Sequence, residues 1–125
     1  MRLSAHFIKT TASVAALVGC LGLFAAPTIA NADGASDIAA GKKLAFNRKK
    51  GNCLACHEIA GGTLAGNIGP PLVSMKARFP NFDDLRAQIY DARVKNPNTI
   101  MVPFGPNKVL TDHEIDLIAK YIYTL

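Results

Sequence analysis

Midway along the chain, Cys53-Leu54-Ala55-Cys56-His57 sets two thiols three positions apart and an imidazole directly after the second. C-x-x-C-H is the signature of covalent c-type haem attachment: the two thiols add across the two vinyl groups of the porphyrin, and the histidine is directed beneath the ring as an axial iron ligand. A chain built this way folds around a large flat apolar body, which supplies buried surface that a short polypeptide struggles to assemble alone. Two other chemistries use paired cysteines. A thioredoxin-like couple needs a strand before the motif and a helix opening at its first cysteine, and a zinc site needs further Cys or His at ligand spacing. Beyond residue 57 the chain offers no third cysteine and only His113. The expectation is therefore one haem c, with Cys53 and Cys56 as attachment sites and His57 as a metal ligand.

The chain has 125 residues, enough for one domain. Its start carries Arg2 and Lys9, then an apolar run from Ala12 to Ala26, then Pro27 and the small-residue triplet Ala30-Asn31-Ala32. This reads as a secretory leader over residues 1–32, leaving a cytochrome domain over residues 33–125 in the periplasm. The apolar run is shorter than the roughly 20 residues a bilayer demands and is broken by Gly19, Gly22 and Pro27, so stable membrane insertion is not expected. Leu17-Val18-Gly19-Cys20 resembles a lipobox, but apolar residues continue through Ala26 where a lipoprotein turns polar, which favours a soluble product. Of the 14 Lys and Arg, only Arg2 and Lys9 precede residue 33, leaving 12 against 9 acidic residues, a net charge of +3. Two haem propionates bring this near neutrality, so the basic whole-chain balance gives no argument for a nucleic-acid partner.

Around the motif the hydrophobic pattern is helical. Residues 37–49 place Ile38, Gly41, Leu44 and Ala45 on one side, with Lys42, Lys43, Arg48 and Lys49 mainly opposite, and Gly51-Asn52 closes the helix. Gly61-Gly62 to Gly69 has no period and reads as loop, followed by the stiff Gly69-Pro70-Pro71-Leu72. The Pro70 carbonyl is the candidate acceptor for the His57 ring N–H, a plain surface turn being the competing reading. A further helix begins at the capping residue Asn81, with Phe82, Leu85, Ile89 and Ala92 at helical spacing, and ends before Asn96-Pro97. Thr111-Asp112-His113-Glu114 is a capping box for a last helix that buries Ile115, Ile118, Ala119 and Ile122. Its natural partner is the first helix, where Gly41 would admit an aromatic such as Tyr121. The fold expected is all-α.

Between the last two helices, Asn98-Thr99-Ile100-Met101-Val102-Pro103-Phe104-Gly105-Pro106 presents a methionine on a loop stiffened by proline. A thioether is a soft neutral ligand that raises the potential of a histidine-ligated haem, so Met101 is the expected second axial ligand. Met75 follows the motif closely and lies beside the Gly-Pro-Pro segment, on the wrong side of the ring; His113 is placed in the first turn of a helix and reads as solvent-exposed. With both axial positions filled, no open iron site remains for substrate, and electron transfer is what such an iron can do.

The order helix, C-x-x-C-H, Gly-Pro segment, methionine loop and closing helix resembles class I cytochromes c. More closely, the stretch from Leu44 to His57, Gly69-Pro70-Pro71-Leu72, and Asn96 to Gly105 look like SoxX subunits of SoxAX cytochrome complexes. The resemblance implies a heterodimer with a SoxA-like haem subunit that carries the catalytic haem. That pair joins thiosulfate oxidatively to a cysteine of a SoxYZ carrier, while the SoxX-like chain accepts the electrons and passes them to a downstream acceptor. By it, His57 and Met101 carry over as axial ligands and Cys53 and Cys56 as attachment sites. Phe46 lies further from the first cysteine than the usual helix aromatic, and Val102 intervenes between Met101 and Pro103.

The alternative function is a freely diffusing periplasmic electron carrier serving a reductase or terminal oxidase. Lys42, Lys43, Arg48, Lys49 and Lys50 would then form a steering patch, against the plainer reading of a solvated helix face. Gas sensing or peroxidase activity would require Met101 to leave the iron. No nucleophile paired with a base stands out, so no bond-making chemistry is assigned to this chain.

Overall fold

A computed structural model describes residues 30–125, with side chains from residue 34. The leader expected over residues 1–32, with Cys20, lies outside the described residues except for its last three positions, which open the first helix. Four α-helices follow in order: α1 Ala30–Phe46, α2 Met75–Arg78, α3 Phe82–Tyr90 and α4 Asp112–Ile122. Single 3-10 turns occupy Cys53–Ala55 and Ala92–Val94, and no strand occurs among the described residues. No described helix is long and apolar enough to cross a membrane.

The frame is α1 crossing α4. A Cβ on Gly41 would overlap the Leu117 carbonyl and stand 3.0 Å from the Tyr121 Cβ, so the missing side chain is what lets the two backbones meet. The α4 backbone enters the gap, and the Tyr121 ring instead meets Phe46 edge-on, with centroids 6.1 Å apart and planes at 88°. Phe46 thus supplies the helix-crossing aromatic despite its distance from Cys53. Ile115 and Ile118, almost fully buried, fill the seam beneath. Burying each is worth about 1.5–3 kcal/mol.

The helix ends differ from the sequence expectation for local reasons. α1 stops at Phe46 rather than running to residue 49, because the Asn47 carbonyl accepts the N–H groups of Lys50 and Asn52 at 3.0 Å each and its side chain accepts that of Lys49 at 2.9 Å. α3 is capped as expected, with the Asn81 side chain accepting from the Asp83 N–H, but it ends at Tyr90. Asp91 is extended there, and its carboxylate both caps the next turn and pairs with Arg93, so Ala92 belongs to that 3-10 turn. The expected capping box of α4 is present, with Thr111 and Glu114 bonded reciprocally. α4 buries Leu117 and Tyr121 as well as its expected apolar face.

The carboxyl-terminal end of α4 holds the connection between the two halves of the chain. The Met75 N–H donates to the Leu125 carbonyl at 3.1 Å, the Tyr123 hydroxyl donates to the Pro80 carbonyl at 3.1 Å, and Tyr123 meets Phe82 edge-on. Two long loops, one on each side of this connection, are left to build the site.

Candidate haem site

The first loop begins with Asn52 in the left-handed region at φ 46°, a conformation asparagine tolerates better than most residues. It launches the Cys53–Ala55 turn, which closes with the Cys56 and His57 N–H groups both donating to the Cys53 carbonyl at 3.2 and 2.9 Å. A 3-10 turn repeats every three residues, so Cys53 and Cys56 stand on one side of it. Both thiols are free and partly accessible. Burial pushes the Cys53 thiol up to about 11, the neighbouring Cys56 adding a little and a backbone hydrogen bond opposing. A thiol exchange centre needs its attacking cysteine shifted downward, toward thiolate. Nor, among the described residues, do three or more His, Cys, Asp or Glu side chains gather as a metal site.

His57 is held from its far side. Its Nδ1 lies 2.7 Å from the Pro70 carbonyl oxygen. A carbonyl can only accept, so Nδ1 carries the hydrogen and Nε2 is left with its lone pair, the tautomer an iron ligand requires. Gly69 makes this approach possible: a Cβ there would lie 2.6 Å from Nδ1 and 2.9 Å from Nε2. The extended segment carrying Gly69-Pro70-Pro71 is stitched back to the motif, with the N–H groups of Gly66, Gly69 and Leu72 donating to the carbonyls of Leu54, Cys56 and Glu58 at 2.8 to 2.9 Å. Arg78 braces it from outside, donating to the Pro71 carbonyl at 2.8 Å. No local sequence signal marks Arg78 for this task; the contact arises only when α2 folds back.

The second loop carries Met101, half-buried at the edge of the core, with its N–H donating to the Thr99 hydroxyl at 3.2 Å. Phe104 is buried beside it, and its carbonyl accepts the Val109 N–H at 3.0 Å. The other candidate ligands are disposed otherwise. Met75 is 2% exposed in the core, and its sulfur receives an Arg78 N–H at 3.4 Å. His113 is exposed on the first turn of α4.

The residues fit a haem on the chemistry of the donors and on what the loops leave uncovered. Free thiols, a histidine with Nε2 available and a partly accessible thioether are the donor types that a six-coordinate haem c uses. The loops bearing them expose Leu64 at 91%, Ile68 at 64% and Ile100 at 74%, apolar side chains that water does not favour and a porphyrin face does. A separate open crevice of about 490 Å³ beside the Cys53–Ala55 turn is lined by polar as well as apolar residues, Arg48, Asn52 and Thr63 with Phe46, Leu54 and Leu64, and by none of the four donors.

Comparison with known families finds a match over residues 36–122 to the model described as cytochrome c oxidase, cbb3-type, subunit III. No curated protein matches the chain.

Proposed function

Since the chain belongs to that family of cytochrome c domains, an all-α c-type cytochrome that binds haem c covalently and transfers electrons, we propose that it serves as the electron-accepting, SoxX-like subunit of a thiosulfate-oxidising complex. It holds a single haem in this reading, attached at Cys53 and Cys56, with His57 and Met101 as iron ligands. When bound, the haem supplies a one-electron redox centre closed to outside ligands. The chain's own residues do the tuning. The Pro70 carbonyl accepts the hydrogen bond from His57 Nδ1–H and makes the imidazole a stronger electron donor through Nε2. The buried Phe104 and the Thr99 hydroxyl hold the Met101 loop.

The observation that carries electron transfer is the His57–Pro70 contact of 2.7 Å, which leaves Nε2 free and directed for ligation. The SoxX-like role is supported by the resemblance of the segments around Cys53, Pro70 and Met101. Forming the S–S bond between thiosulfate and a carrier cysteine releases the thiol proton and two electrons, and this chain would receive them singly from a SoxA-like partner for a downstream acceptor. Residues 1–32 act as a periplasmic export leader in this reading. Isolation of the native periplasmic protein tests it: copurification with a second haem protein is expected, and a chain that stays monomeric in that protein's presence refutes it. Met101→Ala is expected to lose the methionine-ligated absorption signature, and an unchanged spectrum refutes the ligand assignment.

A freely diffusing carrier is the second reading, and one observation favours it. Lys43, Arg48 and Lys49 are exposed with no acidic side chain within 4 Å among the described residues, whereas Lys50 pairs with Glu114 at 2.9 Å and Lys120 with Asp37 at 2.6 Å. Such a carrier would show reduction rates falling steeply with salt.

A further inference from the structure

The Met101 loop is fastened at its far end by a contact that crosses from α3. The Gly105 N–H donates to the Tyr90 carbonyl at 3.1 Å, and the Tyr90 ring occupies the space a side chain at 105 would take, with Cζ 2.5 Å from the Cβ position. Tyr90 is large and 36% exposed, so it is not spent on filling the core. Its hydroxyl has no protein hydrogen-bond partner among the described residues, and the ring itself is what makes contact. Behind it the Arg86 guanidinium lies 5.9 Å from the ring centroid. Arg86 is in turn fixed to α4 through Asp116 and Asp112. The result is a continuous path, α4 to Arg86 to Tyr90 to Gly105, and between Gly105 and Met101 stands only a short segment stiffened by Pro103.

We propose that Tyr90, backed by Arg86, is a positioning residue: its ring wedged against Gly105 keeps the Met101 loop closed over the distal side of the haem and so sets the fraction of molecules with an open iron position. This rests on Met101 being the second axial ligand. The cation at 5.9 Å attracts the ring face, and the two carboxylates keep that cation from swinging away. Removing the ring leaves the Gly105 N–H to Tyr90 carbonyl bond as the tie between this end of the loop and α3. An outside ligand that binds only the open state then gains apparent affinity in proportion to that state's population.

The test uses the haem-loaded wild type, Tyr90→Phe, Tyr90→Ala, Gly105→Ala and Met101→Ala. Two quantities are read: the methionine-ligated absorption signature of the ferric protein, and carbon monoxide binding by the reduced protein. Tyr90→Ala is expected to weaken the signature and raise carbon monoxide binding about tenfold, with Tyr90→Phe behaving as wild type. Gly105→Ala, which keeps Tyr90 but forces its ring outward, shifts in the same direction and stands in if Tyr90→Ala yields no holoprotein. Ile115→Val, a core change on α4, lowers the thermal midpoint without raising carbon monoxide binding. Wild-type binding in Tyr90→Ala or Gly105→Ala overturns the clasp, as does an equal rise in Ile115→Val, which would make the effect one of global stability. Met101→Ala separates the two readings. If it keeps the wild-type signature the ligand assignment fails and the clasp with it; if it loses the signature while the Tyr90 and Gly105 variants stay wild type, the clasp alone fails.

Discussion

Gly69→Ala should raise the reduction potential of the holoprotein by tens of millivolts. The Cβ it adds would stand 2.6 Å from His57 Nδ1 and 2.9 Å from Nε2, while ordinary contact begins at 3.4 Å. The ring's Cε1 is nearer still, at 2.4 Å, so ring and loop must part by about 1.0 Å, whichever of them moves. The hydrogen bond being stretched starts at 2.7 Å, so a separation of that size takes it past the limit of hydrogen bonding. A hydrogen bond of this kind is worth about 0.5–1.5 kcal/mol. It strengthens when the imidazole is drawn on by ferric iron, so its loss destabilises the oxidised state more than the reduced one. With about 59 mV per tenfold change for a one-electron couple, a differential of about 1 kcal/mol is about 40 mV, in the positive direction. Spectroelectrochemical titration of wild type and variant measures this. Gly34→Ala is the control, because a Cβ there meets nothing within 4 Å. A potential unchanged or lowered in Gly69→Ala, with haem content retained, would refute the reasoning that the Pro70 contact tunes His57.

Two further expectations concern stability. In an exposed helix Gly→Ala gains about 1 kcal/mol, but Gly41→Ala should lose stability, since its Cβ would overlap the Leu117 carbonyl and press on Tyr121. Overpacking of about 1–3 kcal/mol lowers the thermal midpoint by at least about 4 °C in a domain of this size, and a midpoint equal to or above wild type by calorimetry would contradict the helix crossing. Glu114 is held below its ordinary value of 4.5 first by the Thr111 N–H and then by Lys50. Its contribution is present above the ordinary glutamate range and is lost as pH falls through the lowered folded value. Glu114→Gln should therefore be less stable than wild type at neutral pH, with the difference shrinking below about pH 4; a difference constant with pH in denaturant titrations would show that the carboxylate charge does not matter there.

What the amino-acid order reveals about this molecule divides along the two faces of the site. The proximal face of the proposed site is written in one contiguous span: Cys53, Cys56 and His57 have the spacing a porphyrin's reach would set, and Gly69-Pro70 supplies an acceptor only 13 residues beyond the histidine. Covalent attachment demands fixed spacing, and proline stiffness survives any tertiary context, so both are visible before folding. The helix ends are less legible, because side chains such as those of Asn47 and Asp91 compete locally for backbone hydrogen bonds. The distal face is hidden for a different reason. Tyr90 reads in sequence as the last residue of an amphipathic helix and Gly105 as loop punctuation, and nothing in either position names the other. Their relation exists only after α4 has fixed Arg86 through Asp116, a pairing across 30 residues. A ligand loop whose closure depends on such remote contacts is also the part of a cytochrome that can open without unfolding it, since local opening draws on fewer buried contacts than the core does. On the proposed ligand assignment the histidine side, held by covalent attachment and local bonds, has no comparable freedom, so a change in what the haem binds is expected to come from the Met101 side.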